Sequence, residues 1–166
     1  MSLLLRKIQK AKWYSHDGVP WLGTGELQAD ALNDLKTSSN SLSFWKVESD
    51  RSNLRRVLAA LAANGEHTSI VDYALFDATL LNELEIPTEP SEGNPHDREL
   101  NRTNHVDAIR LTTERLCQLA FTIRDHADRA RCQKQEVVAI IKEAVGAGWI
   151  STADLPGSIV AELEGT

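Results

Sequence analysis

Two short stretches carry residue types that could do chemistry. In GVPWLGTGELQADAL, residues 18–32, two glycines flank a threonine just ahead of a segment with helical spacing. Phosphate cradles are built this way: unpaired backbone N–H groups at a helix start face the anion, and glycines let it approach. However, Gly23-Thr24-Gly25 has no third glycine and no following lysine, and Glu26 puts a carboxylate where the ligand's charge would sit. The stretch therefore reads as a turn, with no nucleotide or other cofactor expected. The second stretch is His96-Asp97. Adjacent His and Asp can hold a divalent metal when more such residues converge from neighbouring elements, and the metal then activates water against a phosphate ester. His67 upstream and Asp125 or His126 downstream would have to join them. A metal-dependent phosphohydrolase is thus one alternative, and a divalent cation enters only with it. Against it, His96 and Asp97 follow Pro95 at the edge of a very polar segment, a setting that favours solvated side chains.

Cys117, His126 and Cys132 make C-x8-H-x5-C, which lacks the short paired spacing of structural zinc modules and supplies three ligands only. The two cysteines read as ordinary thiols. The aromatic residues are more informative. Trp13, Tyr14, Trp21, Phe44 and Trp45 are five of the chain's nine aromatics and all fall in the first 45 residues, with Lys10, Lys12 and Lys46 interleaved. Such a group can anchor a protein interface, stack the bases of a single strand, or fill a core. Trp13, Tyr14, Trp21 and Trp45, with His16 and Asp17 from the intervening loop, form the expected interaction surface. Single-stranded nucleic-acid binding through these aromatics is the second alternative.

The elements that must position these residues follow from periodicity. Residues 3–14 read as a strand ending in the turn chemistry of SHDGVP, 25–35 as a short helix through Leu27, Ala31 and Leu35, and 42–48 as a strand. Leu54, Val57, Leu58 and Leu61 form one stripe, giving a helix capped by Asp50 or Ser52 and ended by Asn64-Gly65. Residues 70–85 fit one long helix, or a strand at 70–76 followed by a helix at 77–85 capped by Asp77; β-branched and aromatic residues favour the second. EIPTEPSEGNPHDRE is a loop or linker, after which Asn94-Pro95 caps a helix. Apolar positions 106, 109, 116, 120, 123 and 127 predict one helix across them, and Val137, Val138, Ile141 and Val145 another over 134–146. The tail adds a turn and a short helix after Pro156. The fold class expected is α+β: a small N-terminal sheet with covering helices, followed by a helical C-terminal half. The divisions are 1–86, a polar linker at 87–104, and 105–166, packed as one unit.

With 42% apolar residues, the 166-residue chain has ample core material. No apolar run approaches the length of a membrane span, and MSLLLRKIQKAK sets its leucines ahead of its basic residues, the reverse of a secretory signal. Two cysteines cannot make a disulfide framework, so a reducing cytoplasm is expected. Charge is uneven: nine Lys/Arg against six Asp/Glu in 1–60, one against nine in 61–100, and eight against nine in 101–166. The acidic middle repels phosphate backbones and would attract a basic protein. The helix-turn-helix-like C-terminus, with two lysines against five carboxylates from Gln133 onward, is equally ill suited to DNA and better suited to pairing two copies. Together these point to a non-catalytic, cytoplasmic interaction or regulatory protein that binds another protein and could self-associate through its C-terminal helices.

Overall fold

The structure, a computed structural model, describes residues 2–13, 19–23, 25–93 and 95–165. It is an α+β fold built on one antiparallel sheet of six strands: β1 (Ser2–Ile8), β2 (Leu42–Glu48), β3 (Val71–Asp77), β4 (Thr88–Pro90), β5 (His105–Ala108) and β6 (Asp128–Cys132). The spatial order is β4-β5-β2-β1-β3-β6. Strand β1 lies inside the sheet, and its run of three leucines has a physical reason. Leu5 is buried on one face and Leu4 and Ile8 on the other, so the leucine run meets apolar neighbours on both faces before the strand turns polar at Arg6 and Lys7.

Each face carries its own core. On one, Leu5, Trp45, Val47, Val71, Leu75 and Cys132 pack under α1 (Leu54–Ala63), α5 (Lys134–Gly146) and α6 (Gly157–Glu164), with Leu100 from α3 (Arg98–Asn104). The alanines at 59, 60, 62 and 63 are all buried, which lets α1 lie close to its neighbours. On the other, Leu4, Phe44, Ala74, Phe76 and Val106 pack under α4 (Thr113–His126) and the 3-10 helix Ala29–Leu35, with Leu81 from α2 (Thr79–Glu83). Phe44 and Phe76 meet edge to face at 5.7 Å.

Several elements differ from the sequence expectation, each for an identifiable reason. The first strand ends at Ile8 and a 3-10 helix, Lys10–Trp13, follows. The chain bends there because the Asp34 carboxylate accepts from Gln9 N and that of Asp72 from Lys10 N. Residues 29–35, expected as α-helix, are 3-10. Neither Asp50 nor Ser52 caps α1. Asp50 accepts from Ser52 N, and Asn53, which precedes the helix, turns its amide onto Glu48 N and Lys46 O of β2. The proposed cap Asn94 lies outside the described residues, and α3 is instead capped by Asp97, whose Oδ1 accepts from Leu100 N at 3.0 Å.

The largest departures are three strands where loop and helix were expected. β4 lies within the polar loop, short and exposed as befits an edge strand ending in proline. The single helix across 106–127 is a strand, a turn and α4: Val106 and Ala108 alternate into the core as sheet residues, Arg110 bends the chain at φ 58°, and Thr112 caps α4. β6 forms the other edge, where Asp128, Arg129 and Arg131 discourage further pairing. By contrast, β3 and α2 follow the strand-then-helix order expected for 70–85, but α2 is shorter than 77–85 and Asp77 is not its cap: Asp77 ends β3, Ala78 holds the N-cap position without a side-chain bond, and the Asp77 carboxylate accepts from the backbone N and the hydroxyl of Thr79 at 2.8 Å.

Candidate functional sites

The Gly-Thr-Gly turn is closed from within. Glu26 folds back and its Oε2 accepts from Gly23 N at 2.6 Å, so this backbone donor is already taken by a carboxylate. Thr24 lies outside the described residues.

The aromatic group separates into three. Tyr14, His16 and Asp17 lie outside the described residues. Trp13 and Trp45 are core residues, 1% and 6% exposed, which corrects their place in an interaction surface. Trp13 is fixed by a bond from its indole N–H to Asp34 at 2.8 Å, and Trp45 meets the His105 ring edge-on at 5.0 Å. Trp21 is different, at 77% exposed. Its segment is held to α4, where the Arg124 guanidinium donates to the Gly25 carbonyl; the same guanidinium lies 4.8 Å from the centre of the Phe121 ring. Phe121 is itself 46% exposed. An aromatic loop and an aromatic helix position are thus joined through one arginine.

The metal-ligand candidates do not converge. Asp97 is buried, and both its oxygens are held by Arg56 at 2.6 and 3.0 Å; one of them also caps α3. Arg56 further bonds Glu99 at 2.9 Å and lies 4.9 Å from the centre of a Trp149 ring. His96 borders the 440 Å³ cleft around this cluster. His67 faces Glu162 on α6, while Asp125 is bound by its neighbour Arg124, whose guanidinium hydrogen bonds hold that carboxyl below its usual range. Among the described residues no group of three or more His, Cys, Asp or Glu is arranged to hold a metal ion. Cys132, from the weaker zinc motif, is buried beside Val71; burial, reinforced by Glu136, pushes its thiol up to about 12. Such a thiol is inert.

Sequence reasoning missed a polar cluster on the sheet itself. His105 and Asp107, assigned to the edge of a helix, are alternate residues of β5 and project from one face beside Trp45 and Ser43, their partners on β2. His105 is buried and its Nδ1 lies 2.8 Å from Ser91 Oγ. Burial lowers its pKa, opposed by the charge of Asp107 and aided by that of Arg6. Above it residues 91–93 form a strap, in which the Asn101 amide bonds both Gly93 N and Gly93 O, as a neighbouring strand would. β1 and β2 pair only as far as Leu5 and Trp45. Beyond that the Arg6 guanidinium fills the divergence and donates to the carbonyls of Asp34 and Ser43, both at 2.9 Å. A cleft of about 210 Å³ is bordered here by Arg6, Lys7, Ser43, Trp45, Asn64 and His105. The signal for this site was the alternation in HVDA, which a helix cannot place on one face.

The apolar faces of α5 and α6, expected to pair two copies, are used inside the chain: Val137, Ile140, Ile141, Ala144 and Ile159 are buried against the sheet and α1. No helix of the described residues is long and apolar enough to cross a membrane. No family model, curated protein or solved structure matches the chain.

Proposed function

We propose that this chain is a non-catalytic interaction protein of the cytoplasm that engages a protein partner through Trp21 and the adjoining surface of α4. The observation that carries the reading is the exposure of Trp21. Trp13 and Trp45 are buried and Trp149 is half-buried, whereas the largest apolar side chain of the 19–23 segment is left in water on a loop tied to α4 beside exposed Phe121. Tryptophan and arginine dominate interface energetics because a large, stiff ring gives much buried area for little lost entropy. The partner that fits is a folded protein offering an apolar pocket for the indole.

The acidic middle of the chain is a weaker candidate. Asp72, Asp97 and Glu99 are already paired with Arg131 or Arg56, from outside that segment. Base stacking is also less favoured, since Trp13 and Trp45 have no free ring face to offer.

A photo-crosslinking residue at position 21, introduced in the native cells, tests the reading. It should give one defined protein adduct that disappears with Phe121→Ala and is absent when the crosslinker replaces Ile70, an equally apolar exposed position at 45%. Identical adducts from positions 21 and 70, or none from either, would end it. Trp21→Ala should leave stability within about 0.5 kcal/mol of wild type, as for other exposed substitutions.

A further inference from the structure

We propose that the cleft between the turn after α2 and the start of α4 binds the phosphate monoester of a small polyhydroxy compound, its phosphate at Arg110 and Arg115 and its hydroxyls toward Glu85 and Asn82. The inference does not rest on the interaction reading: Arg115 stands in the first turn of α4, whereas Phe121 and Arg124 lie in its second half. The backbone brings the four side chains together. At the end of α2, Glu85 N donates to Asn82 O at 3.0 Å and Ile86 N to Leu81 O at 2.8 Å, with Glu85 in the left-handed region at φ 54°. Pro87 O then accepts from Ile109 N at 2.9 Å, which fastens the turn after β5 beside it, with Arg110 at φ 58°. Asn82, Glu85, Pro87, Arg110 and Arg115 border the resulting cleft of about 370 Å³.

Three features carry the assignment. First, neither guanidinium nor the Asn82 side-chain amide bonds any described residue. Arg110 also occupies a backbone conformation that glycine adopts at less cost, so the turn by itself gives no reason for a long cation. Arg51, likewise left-handed, is accounted for by its ion pair with Asp128; no protein group does the same for Arg110. Two planar guanidinium forks suit a doubly charged head with three oxygens. Second, exposed Glu83, Glu89 and Glu114 flank these residues in the chain. Such a rim opposes an extended polyanion, a nucleic acid or an anionic bilayer, and admits a compact one. Third, the Glu85 carboxylate can only accept and the Asn82 amide both donates and accepts, the complement of neighbouring hydroxyl groups. The volume lies within the usual range for small-molecule sites, roughly 300–1,000 Å³, which leaves room for a short carbon skeleton against Pro87.

The test is titration of the isotope-labelled full chain with the monophosphates of glycerol, ribose and glucose, read by the side-chain Nε–H resonances of Arg110 and Arg115 and the amide of Glu85. The parent polyols, inorganic phosphate, and phosphatidylcholine vesicles containing phosphatidylinositol phosphate are the comparison ligands. At least one monophosphate should give saturable shifts and bind about tenfold or more tighter than its parent polyol and about fivefold tighter than inorganic phosphate, the increments of charge-assisted and neutral hydrogen bonds. Arg110→Gly, which suits φ 58°, should keep the urea midpoint at or above that of wild type while binding falls to the level of the polyol. Arg115→Gln should weaken monophosphates and inorganic phosphate alike, and Glu85→Ala should erase the preference between them. Four results would each overturn the proposal: no saturable shift at concentrations on the order of 10 mM, inorganic phosphate or a parent polyol binding as tightly as every monophosphate, vesicles binding more tightly than the free compounds, or wild-type affinity retained by a natively folded Arg110→Gly.

Discussion

The molecule holds two clusters of buried charge near α1, and they are built on opposite principles. Around Asp97 every group is paired: two bonds to Arg56, one to the start of α3, Glu99 on the same guanidinium and Trp149 against it. Around Asp107 the pairing is incomplete: its buried Oδ1 accepts from no described residue, and Arg6 bonds two backbone carbonyls, with the charges of Asp34 and Asp107 in range but not in contact. A closed ionic cluster fixes geometry, since removing either partner strands the other. An open one leaves a buried polar atom without a partner, at a cost in stability. The two acids that looked alike as Asp residues therefore stand differently: Asp97 joins α3 to α1, and Asp107 lies within the field of Arg6 and His105 without bonding either.

The contrast predicts unequal losses. Asp97→Ala removes the partner of a buried guanidinium and the cap of α3 together, and should lower the unfolding free energy by about 3–5 kcal/mol, measured by urea denaturation. Gly93→Ala comes next. A Cβ there would lie 3.1 Å from His105 Nε2 and 3.4 Å from Asn101 Oδ1, both held in place. Lifting the strap should cost about 1–3 kcal/mol and shift the His105 ring resonances. Asp107→Ala breaks no bond to a described residue and should cost no more than about 1 kcal/mol. Equal losses for the two aspartates would erase the distinction between the clusters.

What was legible in the sequence was whatever local pattern decides alone. The stripe of Leu54, Val57, Leu58 and Leu61, the alternation of 42–48 and the helix at 134–146 needed no distant partner, and α1, β2 and α5 stand there. The edge strands were hidden for the converse reason. DRARC and TEP have little apolar character, and they become strands because β3 and β5 offer them unpaired backbone. The site was hidden behind a misread period. Val106 and Ile109 lie at spacings that also fit a helix, and only pairing with β2 shows that His105 and Asp107 share a face with Ser43 and Trp45. Nor could composition distinguish Trp21 from Trp13. Both sit among lysines or glycines in the first 25 residues, and the difference is made by Asp34, 21 residues beyond Trp13, which receives its indole N–H.

The smallest expected effect lies in the pH dependence of stability, and it also separates the clusters. His105 is buried against Trp45 and Ser91, and desolvation lowers its folded pKa below the usual 6.5. As pH falls through 6.5 the unfolded chain takes up a proton that the folded chain still refuses, so stability declines until the lowered folded value is passed. The stabilisation from neutral His105 is thus fully present above 6.5 and lost below it. Asp72 acts at lower pH: hydrogen bonds from Arg131 depress its pKa, so its contribution holds above the ordinary aspartate range and fades as pH falls from there through the folded value. Urea midpoints measured from pH 7.5 down to about 2.5 should therefore fall first through the histidine range and later below the ordinary aspartate range. In His105→Gln that early decline should flatten, while the later acid loss persists. An unchanged early slope in His105→Gln would assign the titration elsewhere and remove His105 from the open cluster.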